Sequence, residues 1–217
     1  MAKLKIYTFP DEVLAKKALP IVHVDASFRK LADDMLETMY DAPGIGLAAN
    51  QVGLLQRIIV VDTDFEMEEI PEGVEPPKGA EVVGRSIVTG KNPRVLINPE
   101  IIHQEGMITF EEGCLSVPEY TAEVRRAEKI KVQFKDVDGV GKSLDADGLL
   151  AICIQHEMDH LDGKLFIDRL SPVKKEFARK KLRKERIERE KEDLLRMEAM
   201  SRGGQVPLGS RSSKKGI

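Results

Sequence analysis

The chain has 217 residues, of which 41% are hydrophobic and 33% charged, with a formal net charge of −3. That composition describes a soluble protein with one sizeable core, and no run approaches the ~20 apolar residues of a membrane span. The N-terminus lacks the apolar segment of a secretory signal and only two cysteines, Cys114 and Cys153, occur; reduced thiols, cytoplasmic residence, and neither a membrane nor a DNA partner are expected.

Phe28, Leu31, Met35, Leu36 and Met39 recur at three- and four-residue steps, which predicts an amphipathic, core-packing helix over about 27–40. The segment Gly44-Ile45-Gly46-Leu47-Ala48-Ala49-Asn50-Gln51 follows. Its glycines and small side chains allow a backbone to approach a ligand closely, and Gln51 can donate to an oxyanion, although the same run fits an ordinary turn. Strand-like composition marks 56–62, 94–97, 101–110 and 129–134, and Asp136-Val137-Asp138-Gly139 offers a turn after the last. Between them, residues 62–92 hold Pro71, Pro76 and Pro77 and eight acidic against three basic residues, the pattern of a surface insertion.

Glu111-Glu112-Gly113-Cys114-Leu115-Ser116-Val117-Pro118 reads as a loop framing a thiol. Further on, a helix should start near Asp147 and Gly148 and stop at Gly163. It carries His156-Glu157-Met158-Asp159-His160. Histidines four apart lie on one helical face, so both can reach one metal ion, while Glu157 is placed to take a proton from a metal-activated water. A catalytic site of this kind needs a third protein ligand. Cys114 is the best candidate, with Glu112 the alternative; His23 and His103 stand in polar or mixed surroundings that favour solvated rings. Cys153, among Ile152 and Ile154, reads as a buried apolar side chain.

After Pro172 the chain is almost continuously charged to about 199, with sparse apolar residues, and should be helical; residues 201–217 read as a disordered tail. Residues 174–217 hold 15 Lys/Arg and 7 Asp/Glu, a net of +8, against −11 on the remainder. Such a run is usually a solvated face, but it can also hold an acidic protein against RNA phosphates.

In this order GIGLAANQ, EGCLSVP and QHEMDHL resemble the three signature motifs of the bacterial peptide deformylases, in their catalytically active type 1 branch. The resemblance covers roughly residues 1–172, including the run 148–155 ahead of the HExxH motif and Leu170-Ser171-Pro172 after it. It implies an α+β fold of antiparallel strands around the helix of the HExxH motif and a catalytic domain over 1–172, to which the charged helix read over 173–199 is appended. It implies Cys114, His156 and His160 as metal ligands, Glu157 as acid and base, and Gln51 with the Leu115 backbone N–H as oxyanion donors. By position in the matched motifs, Gly44, Ile45, Gly46, Leu149, Ile152 and Cys153 border the substrate and its methionine pocket. The implied reaction removes the N-formyl group from the N-terminal formylmethionine of nascent polypeptides, with Fe²⁺ in cells; Zn²⁺, Ni²⁺ and Co²⁺ also suit imidazole and thiolate. The ribosome is the implied partner of the basic helix.

Two features depart from the family pattern: the long 62–92 segment, and Thr121, where some members have an arginine near the bound peptide. The rival readings are a zinc endopeptidase or aminopeptidase with Glu112 as third ligand, and a noncatalytic ribosome- or RNA-binding protein holding a structural metal. Cys114 discriminates against the first, and an intact Glu157 with only three evident ligands against the second.

Overall fold

The computed structural model describes residues 3–201. A 3-10 turn at Glu12–Ala15 precedes helix α1 (Ala26–Asp41), whose N-cap Asp25 accepts from the Ser27 backbone N–H. Ten strands follow: β1 Gly46–Ala48, β2 Ile58–Val61, β3 Glu66–Glu69, β4 Val82–Val83, β5 Ser86–Thr89, β6 Arg94–Glu105, β7 Ile108–Cys114, β8 Val117–Arg126, β9 Lys129–Lys135 and β10 Gly141–Asp147. Helix α2 (Gly148–Leu161), a 3-10 turn (Phe166–Arg169) and helix α3 (Pro172–Ser201) complete the order. Among the described residues no helix is long and apolar enough to cross a membrane.

Every pairing between these ten strands is antiparallel. The main sheet runs β1-β2-β6-β9-β10, the segment after Asp62 forms a small sheet β3-β5-β4, and β7 and β8 form a separate hairpin. This is the expected α+β arrangement, with α2 at its centre. Ala151, Cys153, Ile154 and Leu161 of α2 pack with Ile59, Val61, Leu96, Ile130 and Val132 of the main sheet. Met35 and Met39 of α1 pack with Leu47, Ile58 and Val60. A helix apolar on several sides belongs inside the fold, and α2 is there with the main sheet burying apolar side chains on it.

Several local expectations need correction. The predicted strand at 94–97 and the first half of that at 101–110 are one twelve-residue strand, β6, which continues through register irregularities after Ile97 and Ile101, while 108–110 open β7. Asn98 adopts φ 52° there and bonds both the N–H and C=O of Ile21 with its side-chain amide, at 2.8 and 2.7 Å. The chain turns at Gly106 (φ 66°), inside the span read as strand. Strands β8 and β10 went unpredicted because charged residues on their outer faces obscure the alternation. Gly163 does stop α2: its φ is 70°, and a Cβ would lie 2.6 Å from the Ala15 carbonyl oxygen.

The charged helix is more than a solvated appendage. Ala178 and Leu182 of α3 are buried with Leu14, Val117, Val124, Phe166 and Cys114, while Arg186 bonds Thr8 Oγ1 at 2.6 Å. Packing therefore carries the body of the fold past residue 172, to about Arg186. Beyond it Ile187, Leu194 and Leu195 are exposed. The tail read at 201–217 lies outside the described residues apart from Ser201.

A chain ending at Val173 loses the buried Ala178 and Leu182, a loss of about 2–5 kcal/mol for the leucine alone. Thermal unfolding should show Tm lowered by roughly 10 °C or more. A chain ending at Glu190 should stay within a few degrees of the full-length protein; equal Tm for both truncations would deny α3 its place in the core.

Candidate metal centre

Three separate segments meet at the middle of α2. His156, Glu157 and His160 come from the helix itself, all nearly fully buried. The hairpin β7–β8 supplies Cys114, the last residue of β7, with Leu115 and Ser116 forming the turn to Val117. The third is Gly44–Gln51, which forms edge strand β1 and a 3-10 turn, Ala49–Val52.

Cys114, His156 and His160 place one potential ligand atom each within 4.8 Å of one another, the one such group of three among the described residues. Cys114 Sγ lies 3.2 Å from His160 Nε2. His156 donates from Nδ1 to the Glu112 carboxylate oxygen Oε2 at 2.8 Å, leaving its buried Nε2 without a hydrogen-bond partner. A buried imidazole nitrogen with no partner is costly unless something coordinates it, so the donor set fits a divalent cation of the zinc or iron type. Burial holds His160 well below the ordinary histidine range, in the neutral form that ligates.

Glu157 stands beside the group with Oε2 also unpaired. Burial pushes its carboxyl up to about 7. A Cβ on Gly46 would lie 2.5 Å from Glu157 Oε1 and 2.7 Å from Cys153 Sγ; one on Gly44 would lie 2.7 Å from Leu115 Cδ1. The glycines thus let β1 run flush against the helix and the hairpin turn. Gln51 is aimed: Oε1 accepts from the Ala48 N–H at 2.7 Å, and Nε2 contacts Ser116 Oγ at 3.2 Å and Cys114 Sγ at 3.6 Å. Cys153 Sγ donates to the Ile45 carbonyl at 3.4 Å. Burial, then the nearby Glu157, raises its thiol well above the usual range, so it stays protonated.

The structure therefore brings together Gly44, Ile45, Gly46, Gln51, Cys114, Leu115, Cys153, His156, Glu157 and His160. Ile152 is buried one turn before His156. Leu149 sits two turns before His156 and is 37% exposed, open to solvent rather than enclosed with the others. Thr121 is exposed on β8, where its hydroxyl bonds Glu111 at 3.1 Å. His23 and His103 are exposed and take no part.

Two sequence expectations about Cys114 and Glu112 are corrected. Cys114 ends a strand and is 4% exposed rather than carried on an open loop. Glu112 is not solvated: it is fully buried, bound by Arg126 through Nε–Oε1 at 2.6 Å and Nη2–Oε2 at 2.8 Å, and by His156, so both of its oxygens already have partners. Arg126, 1% exposed, also donates to Asp159 at 2.5 Å. Burial alone would raise the Glu112 carboxyl, but the hydrogen bonds from Arg126 and His156 hold it below the usual range. Sequence reading missed Arg126, Asp159, Ser116 and Phe166, whose ring stacks on His156 at 6.0 Å between centroids. Strand alternation was the available signal for Arg126, which shares an inward face with Val124 two residues before.

Glu112→Ala should leave Arg126 buried with one carboxylate partner and cost about 3–5 kcal/mol of stability in denaturant unfolding. Thr121→Ala, which breaks only an exposed bond, should change stability by less than about 0.5 kcal/mol.

Comparison with known proteins agrees with this geometry. The sequence model of the family "Polypeptide deformylase" matches residues 3–176. The chain is 48% identical to a peptide deformylase of Alkalilimnicola ehrlichii over 184 residues, 85% of this chain and 91% of that one. It is 51% identical to a peptide deformylase of Xylella fastidiosa, over 86% of this chain and 98% of that one. The crystal structure of a peptide deformylase from Legionella pneumophila superposes with a TM-score of 0.69 at 42% identity, covering 86% of this chain and 98% of that one. The match takes in all three segments that meet at α2, and the chain belongs to the polypeptide deformylase family.

Proposed function

We propose that the residues gathered around α2 divide the work of the family's reaction among them. That reaction, metal-dependent removal of the N-formyl group from nascent polypeptides, is the function of this chain. The observation that carries the assignment of roles is the Cys114, His156 and His160 group, with the unpaired Glu157 carboxyl beside it.

Cys114, His156 and His160 hold the ion, which when bound supplies Lewis acidity and lowers the pKa of water. Glu157 takes the proton of the attacking water and returns it to the amine nitrogen as the C–N bond of the formamide breaks, giving formate and a free amino terminus. Gln51 Nε2 turns from its long contact with Cys114 to the developing oxyanion, and the Leu115 backbone N–H is the second donor. Backbone at Gly44, Ile45 and Gly46 lies against the peptide. Ile45, Leu149, Ile152 and Cys153 shape the apolar pocket for the methionine side chain, Leu149 at its open rim. Fe²⁺ is the physiological ion of this reading; Zn²⁺, Ni²⁺ or Co²⁺ also suits the donors. The endopeptidase alternative loses its support because Arg126 and His156 already occupy Glu112.

The reading extends to placement. Residues 1–172, with the first turns of α3 packed on them, form the catalytic body, and 62–92 is a surface insertion. Work on nascent chains and two free cysteines support residence in the cytoplasm. The exposed basic side chains of α3, Lys180, Arg183 and Lys184 among them, are the contact with the ribosome.

Formate release from formyl-Met-Ala, with unformylated and internal-peptide controls, tests the activity. Glu157→Ala should keep its metal and lose about 10²–10⁴-fold in kcat; a variant retaining a tenth of the rate would remove Glu157 from the proton-transfer role. Cys114→Ser should lose metal while Cys153→Ser stays loaded, as read by elemental analysis. Equal occupancy in both would send the search for a third ligand elsewhere.

Substituting Lys180, Arg183 and Lys184 by glutamate should weaken ribosome cosedimentation while leaving formyl-Met-Ala hydrolysis unchanged. The wild-type association should fall steeply with salt because phosphate contacts release counterions. Unchanged cosedimentation of the triple variant would leave these residues as a solvated face.

A further inference from the structure

The two ends of the short turn Phe166–Arg169 both meet helix α2, one at His156 and the other at Asp159. Phe166 stacks its ring on the imidazole, 25° from parallel. Arg169 grips Asp159 with two hydrogen bonds, Nε to Oδ2 at 2.5 Å and Nη2 to Oδ1 at 2.6 Å. Asp159 Oδ2 also accepts from Arg126 Nη1, and Arg126 spends its Nε and Nη2 on the two oxygens of Glu112. Glu112 in turn bonds His156 Nδ1. An unbroken run of charged hydrogen bonds thus joins Arg169, Asp159, Arg126, Glu112 and His156.

Its charge count depends on Arg169. Two carboxylates, Glu112 and Asp159, face two guanidiniums, Arg126 and Arg169. The Glu112, Arg126 and Asp159 side chains are 0, 1 and 7% exposed, whereas Arg169 is 43% exposed and closes the run at the surface. Without Arg169, two buried carboxylates would compete for one guanidinium. Asp159 would lose both of its hydrogen bonds from Arg169, and Arg126 would be drawn from Glu112 toward it. The group displaced at the far end is the one that sets the tautomer and the ring plane of His156.

We propose that Arg169 is a positioning residue for the metal centre, acting through Asp159, Arg126 and Glu112 on His156. The proposal rests on His156 being a ligand of the ion. Arg169 itself touches no part of the proposed ligand set, and its effect is carried by hydrogen-bonded side chains with fixed directions.

The test uses the full chain loaded with Co²⁺ alone, whose visible absorption bands report the geometry of its ligands. Arg169→Ala should shift those bands and speed loss of Co²⁺ to a chelator by about three- to tenfold, below the 10–100-fold typical of groups that contact a ligand directly. kcat on formyl-Met-Ala should fall with KM little changed. Arg169→Lys keeps the charge without the fork and should recover only part of the difference. Arg179→Ala is the control, because it breaks the bond of Arg179 to Asp168 in the same turn, 2.7 Å, without entering the run to His156. Wild-type bands and chelator rate in Arg169→Ala would overturn the proposal. So would equal changes in Arg179→Ala, since a loosened turn would then suffice. A wild-type chain that takes up no Co²⁺ would instead overturn the ligand assignment itself.

Discussion

Burial of Arg126 between Glu112 and Asp159 is the constraint on which the centre depends. One carboxylate belongs to β7 and the other to α2, so a single guanidinium fastens the hairpin to the helix. Cys114 stands 46 residues before His160 in the chain and reaches it only because that hairpin is held in place. Buried ions are costly to desolvate, and an apolar cluster of the same volume could be as stable. What the ion cluster adds is direction. The planar fork of Arg126 and the second bond of Glu112 to His156 leave few alternative placements of Cys114 against the two imidazoles.

The opposite wall of the site is built on absence of side chains. Strand β1 is the edge of the main sheet, yet it lies fully buried because Gly46 lets it touch Glu157 and Cys153. Ile45 ties that wall to two other parts of the fold through its carbonyl, which accepts from Cys153 Sγ and from the Asp62 N–H at 2.8 Å. Asp62 closes the base of the 62–92 segment, accepting from Tyr40 Oη at 2.6 Å and from the Asn92 N–H at 2.9 Å. The acidic small sheet therefore springs from a rigid collar next to the site rather than from a slack loop.

The C-terminal helix joins two roles in one element. Its first turns contribute Ala178 and Leu182 to the same apolar cluster as Cys114 and Phe166, and Arg179 and Lys175 bond Asp168 at 2.7 and 2.9 Å. Its later turns carry exposed charge. A helix can serve both ends because its faces alternate every 3.6 residues, so sparse apolar positions bury on one side while the basic ones stay wet.

Periodicity and motif chemistry made α1, the two imidazoles with Glu157, and the stop at Gly163 legible, because each is local: spacing within one turn or two of helix decides it. Cys114 could be ranked first as the third ligand from the chemistry of its segment, with Glu112 left open as the alternative, and the resemblance implied it; spacing could not, since no local rule joins residues 42 and 46 apart. Glu112 shows what tertiary structure alone decides. In the sequence it is one acid among 37 beside a turn, and exposure is the sensible expectation. In the fold, β8 delivers Arg126 and α2 delivers His156 to its two oxygens, and a carboxylate with those partners gains more from them than it loses with its water. The same holds for α3, whose composition marks a charged helix but whose Leu182 is buried only because the hairpin and the Phe166 turn lie beneath it. Composition and spacing determine which groups are present and which share a face; long-range packing determines which of them meet, because that depends on contacts between segments that no local pattern encodes.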